Sequence, residues 1–334
     1  MAAHASTLRE LVRSDALARR TATLRTFAIH DWLLLSYLII FFVLTAVRAT
    51  TSIVPFALIT FDLLWFVVVL TIVRGFGSRS TATSLLYRLT LIGVPVASYI
   101  ELRWILPVIA PTTLDHALLA LDLRVFGFEP ALAWDSLVTT NRTEWFSFFY
   151  YSYFFLLALH TIPISLFAHD GRLLRELAFG LLFVFCVGQT FYVVVPGVGP
   201  WAYEKTAGLF QSTLEGPRFW PLVSETVASA GAGRDIFPSL HTAGPLFLTL
   251  FSFHNRKRSP FRYSWPVMAF FASQIILATM YLRWHYLADI VAGVLLASAG
   301  AVLSAWVGRW EGERRRLNGV ASTFARPLVL RGRA

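Results

Sequence analysis

Two histidines and an aspartate stand where an apolar chain can least tolerate them. His285 and Asp289 lie four residues apart in Arg283-Trp284-His285-Tyr286-Leu287-Ala288-Asp289, and the chain then runs into VAGVLLASAGAVLSAWV. His241 follows Pro238-Ser239-Leu240 at the head of another apolar run. An ionised side chain at mid-membrane costs roughly 2.5–3.5 kcal/mol on insertion scales, so such residues are functional candidates by default. At i and i+4, His285 and Asp289 are expected to share one helix face. The carboxylate then takes the proton of one imidazole nitrogen, which leaves the other free as nucleophile or base. Pro238 and Ser239 suit a helix start, as N1 proline and N-terminal hydroxyl, and the unpaired N–H groups of such a start attract anions. Arg283, Arg234 and Lys205 are expected on the same side, where they bind phosphate oxygens. The set suits phosphoryl transfer: one histidine attacks phosphorus and the other protonates the leaving oxygen. His241, His285 and Asp289 are equally a legitimate metal set, so a membrane metallohydrolase stays open. So does a non-catalytic lipid-binding or transport protein. No Gly-rich loop ending in Gly-Lys-Ser/Thr is present, which excludes a P-loop enzyme.

The elements that position these residues follow from composition. Only 14% of the 334 residues are charged and 56% are hydrophobic, against about 25% charged in soluble domains. With a mean hydropathy of +0.62, the chain reads as an all-α integral membrane protein of about eight transmembrane helices. Spans are expected near 32–47, 53–73, 89–110, 144–168, 174–196, 238–253, 266–283 and 286–308, the sixth short at both ends. The division is a basic N-terminus (1–30), two extra helices (31–88), a six-helix catalytic core (89–308) and a basic tail (309–334). No cleavable signal is visible in the polar first thirty residues. With the N-terminus in the cytoplasm, 21 Lys and Arg fall inside and 8 outside. The positive-inside rule thus places both termini in the cytoplasm and the two histidines on the extracytoplasmic face of a multi-pass plasma-membrane protein. The same distribution accounts for the net charge of +10 without nucleic acid. The single cysteine, Cys186, permits no intrachain disulfide.

Two segments do not span. Residues 112–140 read as short interfacial helices broken at Gly127 and Pro130. Residues 197–237, rich in Gly and Pro, read as a long irregular loop of functional type. Glu101 with Arg103 reads as a polar packing pair or as interface anchors, and Asp62 as an interhelical hydrogen-bonding group. His116, His160 and His169 read as structural, and HNRKR at 254–258 as a topology signal.

On these residues the chain resembles the type 2 phosphatidic acid phosphatase superfamily. PSLHTA at 238–243 looks like its second motif, Pro-Ser-Gly-His, and YLRWHYLADIVAG at 281–293 like its third, built on His-x3-Asp. Leu240 before His241, the stretch LDLRVFGFEPALAW and the tyrosines of Phe149-Tyr150-Tyr151-Ser152-Tyr153-Phe154 are most similar to the inositol phosphorylceramide synthase branch. The similarity covers roughly 90–300. The resemblance implies His285 as the nucleophile that becomes phosphohistidine, Asp289 as its orienting group, His241 as the acid and Ser239 as a phosphate contact. It implies no cofactor, a phospholipid or polyprenyl-phosphate substrate, and an alcohol or ceramide acceptor if the reaction is transfer. Two departures stand out. Ala278 and Thr279 occupy the positions of the family's Ser-Arg, and Lys-x6-Arg-Pro is absent, with Lys205 in about its place.

Overall fold

The computed structural model describes residues 26–49, 52–75 and 80–320, with 322, 324 and 328 of the tail. Among the described residues there are helices and no strand. They are α1 (Ile29–Arg48), α2 (Val54–Leu70, continued by a π turn, Thr71–Gly75), α3 (Thr81–Ile109), α4 (Asp115–Val125), α5 (Pro130–Ala133), α6 (Thr140–Phe167), α7 (Gly171–Val194), α8 (Pro200–Thr206), α9 (Phe219–Ala230), α10 (Leu240–His254), α11 (Phe261–Tyr281) and α12 (Leu287–Leu317). Seven of these, α1, α2, α3, α6, α7, α11 and α12, are long and apolar enough to cross a membrane. Large apolar side chains such as Phe61, Leu159 and Val302 face outward, as a lipid-facing surface requires.

The sixth expected span is the exception. α10 has 15 residues, about 22 Å at 1.5 Å per residue, short of a hydrocarbon core of about 30 Å. It survives because it is enclosed: α6, α7, α11 and α12 all pack on it, and Phe247, Leu248 and Ala243 are fully buried. Glycines permit the close approach. A Cβ at Gly180 of α7 would collide with Phe247, and one at Gly293 of α12 would lie 2.7 Å from the Ser239 carbonyl.

The membrane-scale helices alternate in direction, so contacts sort to two ends. At one end Arg48 donates to the Ile109 carbonyl and the Tyr281 hydroxyl accepts from the Thr139 N–H. At the other Arg74 pairs with Asp31 at 2.8 Å, Arg88 donates to the Ser165 carbonyl and Arg315 to the Thr26 carbonyl. The interfacial helices α4 and α5 and the segment 197–237 lie at the first end. That segment is not wholly irregular: it contains α8 and the 12-residue α9. α9 begins where Glu144 of α6 accepts the N–H groups of Arg218, Phe219 and Trp220. It is held there by burying Trp220 and Val223 against Tyr150 and Trp284. Pro221 falls in its first turn, where a missing N–H costs nothing.

Candidate active site

His285 owes its position to how α11 ends. Leu282 is the C-cap, the Arg283 N–H donates to the Met280 carbonyl, and the Trp284 N–H donates to the Thr279 carbonyl. This is a Schellman motif, and its left-handed residue is ordinarily glycine. Here it is Arg283, at φ +66°. The chain reverses, and three residues after Arg283 α12 begins with Tyr286 as N-cap. His285 therefore stands just before α12 rather than on it. The expected pairing with Asp289 is nevertheless made. Asp289, the third residue of α12, reaches back: its Oδ2 lies 3.3 Å from His285 Nδ1 and accepts the Tyr286 N–H at 3.0 Å. It acts as the acidic half of a capping box. The other oxygen, Oδ1, is buried without a partner. Burial holds the His285 imidazole down to about 4, outweighing the Asp235 carboxylate and the Ile236 carbonyl, which favour its charged form.

His241 comes from the first turn of α10. Its ring centroid lies 6.0 Å from that of His285. Tyr150 stacks on it at 4.4 Å and Tyr153 packs beside it at 4.3 Å, so α6 fixes the imidazole plane. Its Nε2 is buried and unpartnered. Ser239, expected in the first turn, is the N-cap: its hydroxyl accepts the Thr242 N–H at 3.2 Å. Pro238 consequently lies outside the helix. The Ser239 N–H donates to the Asp289 carbonyl at 3.0 Å, which sets α10 and α12 in register and so sets the distance between the histidines. Ser239, His241, His285 and Asp289 are thus brought to one place.

The three expected phosphate cations have other contacts. Arg283 is 2% exposed. Its guanidinium pairs with Asp135 at 2.6 Å, donates to the Ser212 carbonyl and hydroxyl, and lies 3.9 Å over Phe210. Burial raises Asp135, but the Ser212 hydroxyl, the Gln211 N–H and Arg283 outweigh it and hold the carboxyl below its ordinary range. The geometry thus assigns Arg283 to clamping the loop. Arg234 donates to the Ala110 carbonyl at 2.5 Å, at the C-cap of α3. Lys205 is exposed, with its ammonium 4.5 Å over Trp201.

The residues least visible in the sequence are acids that cap distant backbone. Asp122 of α4 accepts the N–H groups of Leu287 and Ala288, at 2.6 and 2.9 Å, closing the start of α12. Burial pushes its carboxyl up, and those two N–H groups pull it back. Asp115, one α4 heptad earlier, accepts from Val198 and Gly199. The only local signal was two acids at i and i+7 on an interfacial helix. Glu129 caps α5 through Ala131 and Leu132, and its burial raises it to about 7. Among the described residues no three His, Cys, Asp or Glu side chains converge in a way that could hold a metal ion.

Comparison with known proteins bears on the same region. A PA-phosphatase related-family protein of Dictyostelium discoideum is 35% identical over 104 residues, which is 30% of this chain and 18% of that protein. The chain thus matches less than a fifth of that relative's length. No solved structure matches the chain. The family profile described as PAP2 superfamily matches residues 116–303. That is more than half of the chain, and it takes in α4 from its second residue, with Asp122, and all four residues that meet there. On that match, the chain belongs to the PAP2 superfamily.

Proposed function

We propose that this protein is a membrane enzyme that cleaves or transfers the phosphate-linked headgroup of a lipid through a phosphohistidine on His285. The observation that carries the reading is the approach of the two imidazoles to 6.0 Å, with Asp289 held against Nδ1 of one of them. With its Nδ1 proton directed to Asp289, His285 presents Nε2 to phosphorus. Burial keeps that imidazole neutral, as a nucleophile must be. As the N–P bond forms, the bond from phosphorus to the leaving oxygen breaks, and His241, neutral in the free protein and protonated only beside the bound phosphate charge, gives that oxygen its proton. His241, now neutral, takes a proton from the incoming water or alcohol. The new O–P bond forms, the N–P bond breaks, and both histidines return to their starting states. The N–H groups of Leu240 and His241 at the start of α10 are suited to the phosphate oxygens, with the Ser239 hydroxyl beside them.

Transfer to an alcohol, as in the inositol phosphorylceramide synthase branch, is favoured by Leu240 and by the tyrosines of α6. The Lys and Arg distribution supports an extracytoplasmic site. Purified protein is to be incubated with phosphatidic acid, phosphatidylinositol and a polyprenyl phosphate, with and without ceramide, in excess chelator. Mass spectrometry of the products separates released phosphate from transferred headgroup. Rapid quench with phosphorus-labelled substrate should trap acid-labile label in the unaltered chain and none in His285→Ala. Full turnover by His285→Ala overturns the mechanism, and activity lost to chelator and restored by a metal ion replaces it with a metallohydrolase.

A further inference from the structure

The end of the bundle remote from the histidines holds a second polar concavity, of about 220 Å³. It is lined by Arg172 and Glu176 of α7 and by His254, Arg256, Lys257 and Arg258, where α10 gives way to α11. Its depth follows from the shortness of α10. The Ser252 hydroxyl meets His160 Nε2 of α6 at 2.9 Å. Beyond that level α10 runs to residue 254 and α6 to residue 167, about 3 and 10 Å further at 1.5 Å per residue. α10 thus stops about 7 Å short of its neighbour, and the cavity lies beyond its end, against the first turns of α7, where the ends of the apolar helices α7 and α11 set the expected level of lipid headgroups.

The basic residues have protein contacts that orient them without saturating them. Arg172 donates through Nε to Glu176 at 2.7 Å, Arg258 through one amino group to Asp170 at 2.5 Å, and Arg256 to the Phe253 carbonyl at 2.9 Å. A guanidinium has five N–H donors, and each of these bonds uses one. Because Arg172 is held through Nε, its two terminal amino groups keep the fork that grips two phosphate oxygens. Four cations stand against two carboxylates, Glu176 and Asp170. The positive-inside bias accounts for cations at this end of the bundle. It does not account for their collection from the first turn of α7 and the turn between α10 and α11 into one cavity. The volume is below the roughly 300–1,000 Å³ of a pocket that encloses a drug-sized molecule, and it suits a headgroup whose remainder lies outside.

We propose that this cavity binds a phosphate ester, and its depth favours the headgroup of an anionic lipid in the leaflet opposite the histidines. The full chain is to be reconstituted in phosphatidylcholine nanodiscs doped with the phosphonate analogue of phosphatidic acid, which resists hydrolysis. Native mass spectrometry then counts the anionic lipid retained. R256Q/K257Q should retain it about tenfold more weakly, the loss expected for one or two charge-assisted hydrogen bonds, and high salt should shrink the difference. Both side chains are exposed, so the fold should survive, and the milder K257Q should show a smaller loss in the same direction. Soluble glycerol 3-phosphate is the second arm. If it displaces the lipid, the site takes free phosphate esters; if it does not, the membrane supplies the ligand. Equal retention by the variants and the parent overturns the proposal. Because the readout is binding at the far end of the bundle, its failure leaves the reaction proposed for the histidines untouched.

Discussion

At the scale of single residues, the site depends on which proton each side chain holds. Burial puts the His285 imidazole at about 4, so the acidic limb of kcat/KM, which reports the free enzyme, should fall near that value. A limb near 6.5 means that His285 is solvated or is not the nucleophile. The same burial makes folding pH-dependent. Between about 4 and 6.5 the unfolded chain binds a proton that the folded chain does not. Stability from this group is therefore complete above 6.5 and lost as pH falls toward 4, by roughly 3 kcal/mol in all. Asp289→Asn keeps the size but can present the wrong hydrogen-bonding partner to Nδ1, and kcat should drop by about 10²–10⁴-fold with substrate binding little changed. An unchanged kcat removes Asp289 from the reaction. Arg283 separates local from tertiary demands. Its left-handed backbone costs about 1–3 kcal/mol, which Arg283→Gly relieves, but the substitution also removes the buried guanidinium's bonds to partly buried Asp135 and to Ser212, charge-assisted bonds worth about 1.5–3 kcal/mol each. The net expectation is a lower Tm and faster proteolysis within 207–218. A raised Tm refutes the clamp.

At the scale of elements, the distance between the histidines is the register of α10 on α12. One backbone bond, Ser239 N–H to the Asp289 carbonyl, and one glycine, Gly293, maintain it. A methyl group at Gly293 would meet the Ser239 carbonyl at 2.7 Å and Thr242 Cβ at 3.0 Å. Both neighbours belong to the helix start that carries His241. Gly293→Ala should thus yield folded, membrane-inserted protein with kcat down by about 10²-fold, the effect of an ångström-scale misplacement. Loss of expression instead would make Gly293 a folding residue. The sequence made most of these elements legible because each long helix writes its own apolar run, and most expected boundaries lie within five residues of the observed ones; α3 begins at Thr81, eight residues before the expected start, and α12 runs on through its polar last turns to Leu317, nine past the expected end. α9 escaped because FWPLVSETVASA carries a proline and too few apolar residues for a span. Its helix rests on Glu144, 75 residues away. The capping of α12 by Asp122 joins residues 165 apart. Local pattern cannot reveal such pairs, whereas His285 and Asp289, four apart, could be matched by spacing alone. Spacing still misjudged how they pair, since it presumed a helix where the chain makes a turn.

At the scale of the whole molecule, alternation and charge make separate claims about the membrane. Alternation places residue 215, in the segment over the histidines, and residue 262, at the start of α11, at opposite ends of the bundle. Charge supplies the expected sign: with 21 Lys and Arg against 8, the positive-inside rule predicts residue 262 inside and residue 215 outside. The two can be tested together because the native thiol, Cys186, is buried and should stay silent to an impermeant maleimide. Glu215→Cys and Arg262→Cys are both at exposed positions. In intact cells the first should label and the second should not until the membrane is permeabilised. Equal labelling of both in intact cells contradicts the bundle's alternation. Labelling of residue 262 alone preserves the fold but inverts the orientation, which moves the histidines to the cytoplasmic leaflet and changes which lipids can reach them. The orientation therefore also decides which leaflet's phosphates the basic cavity at the far end can meet.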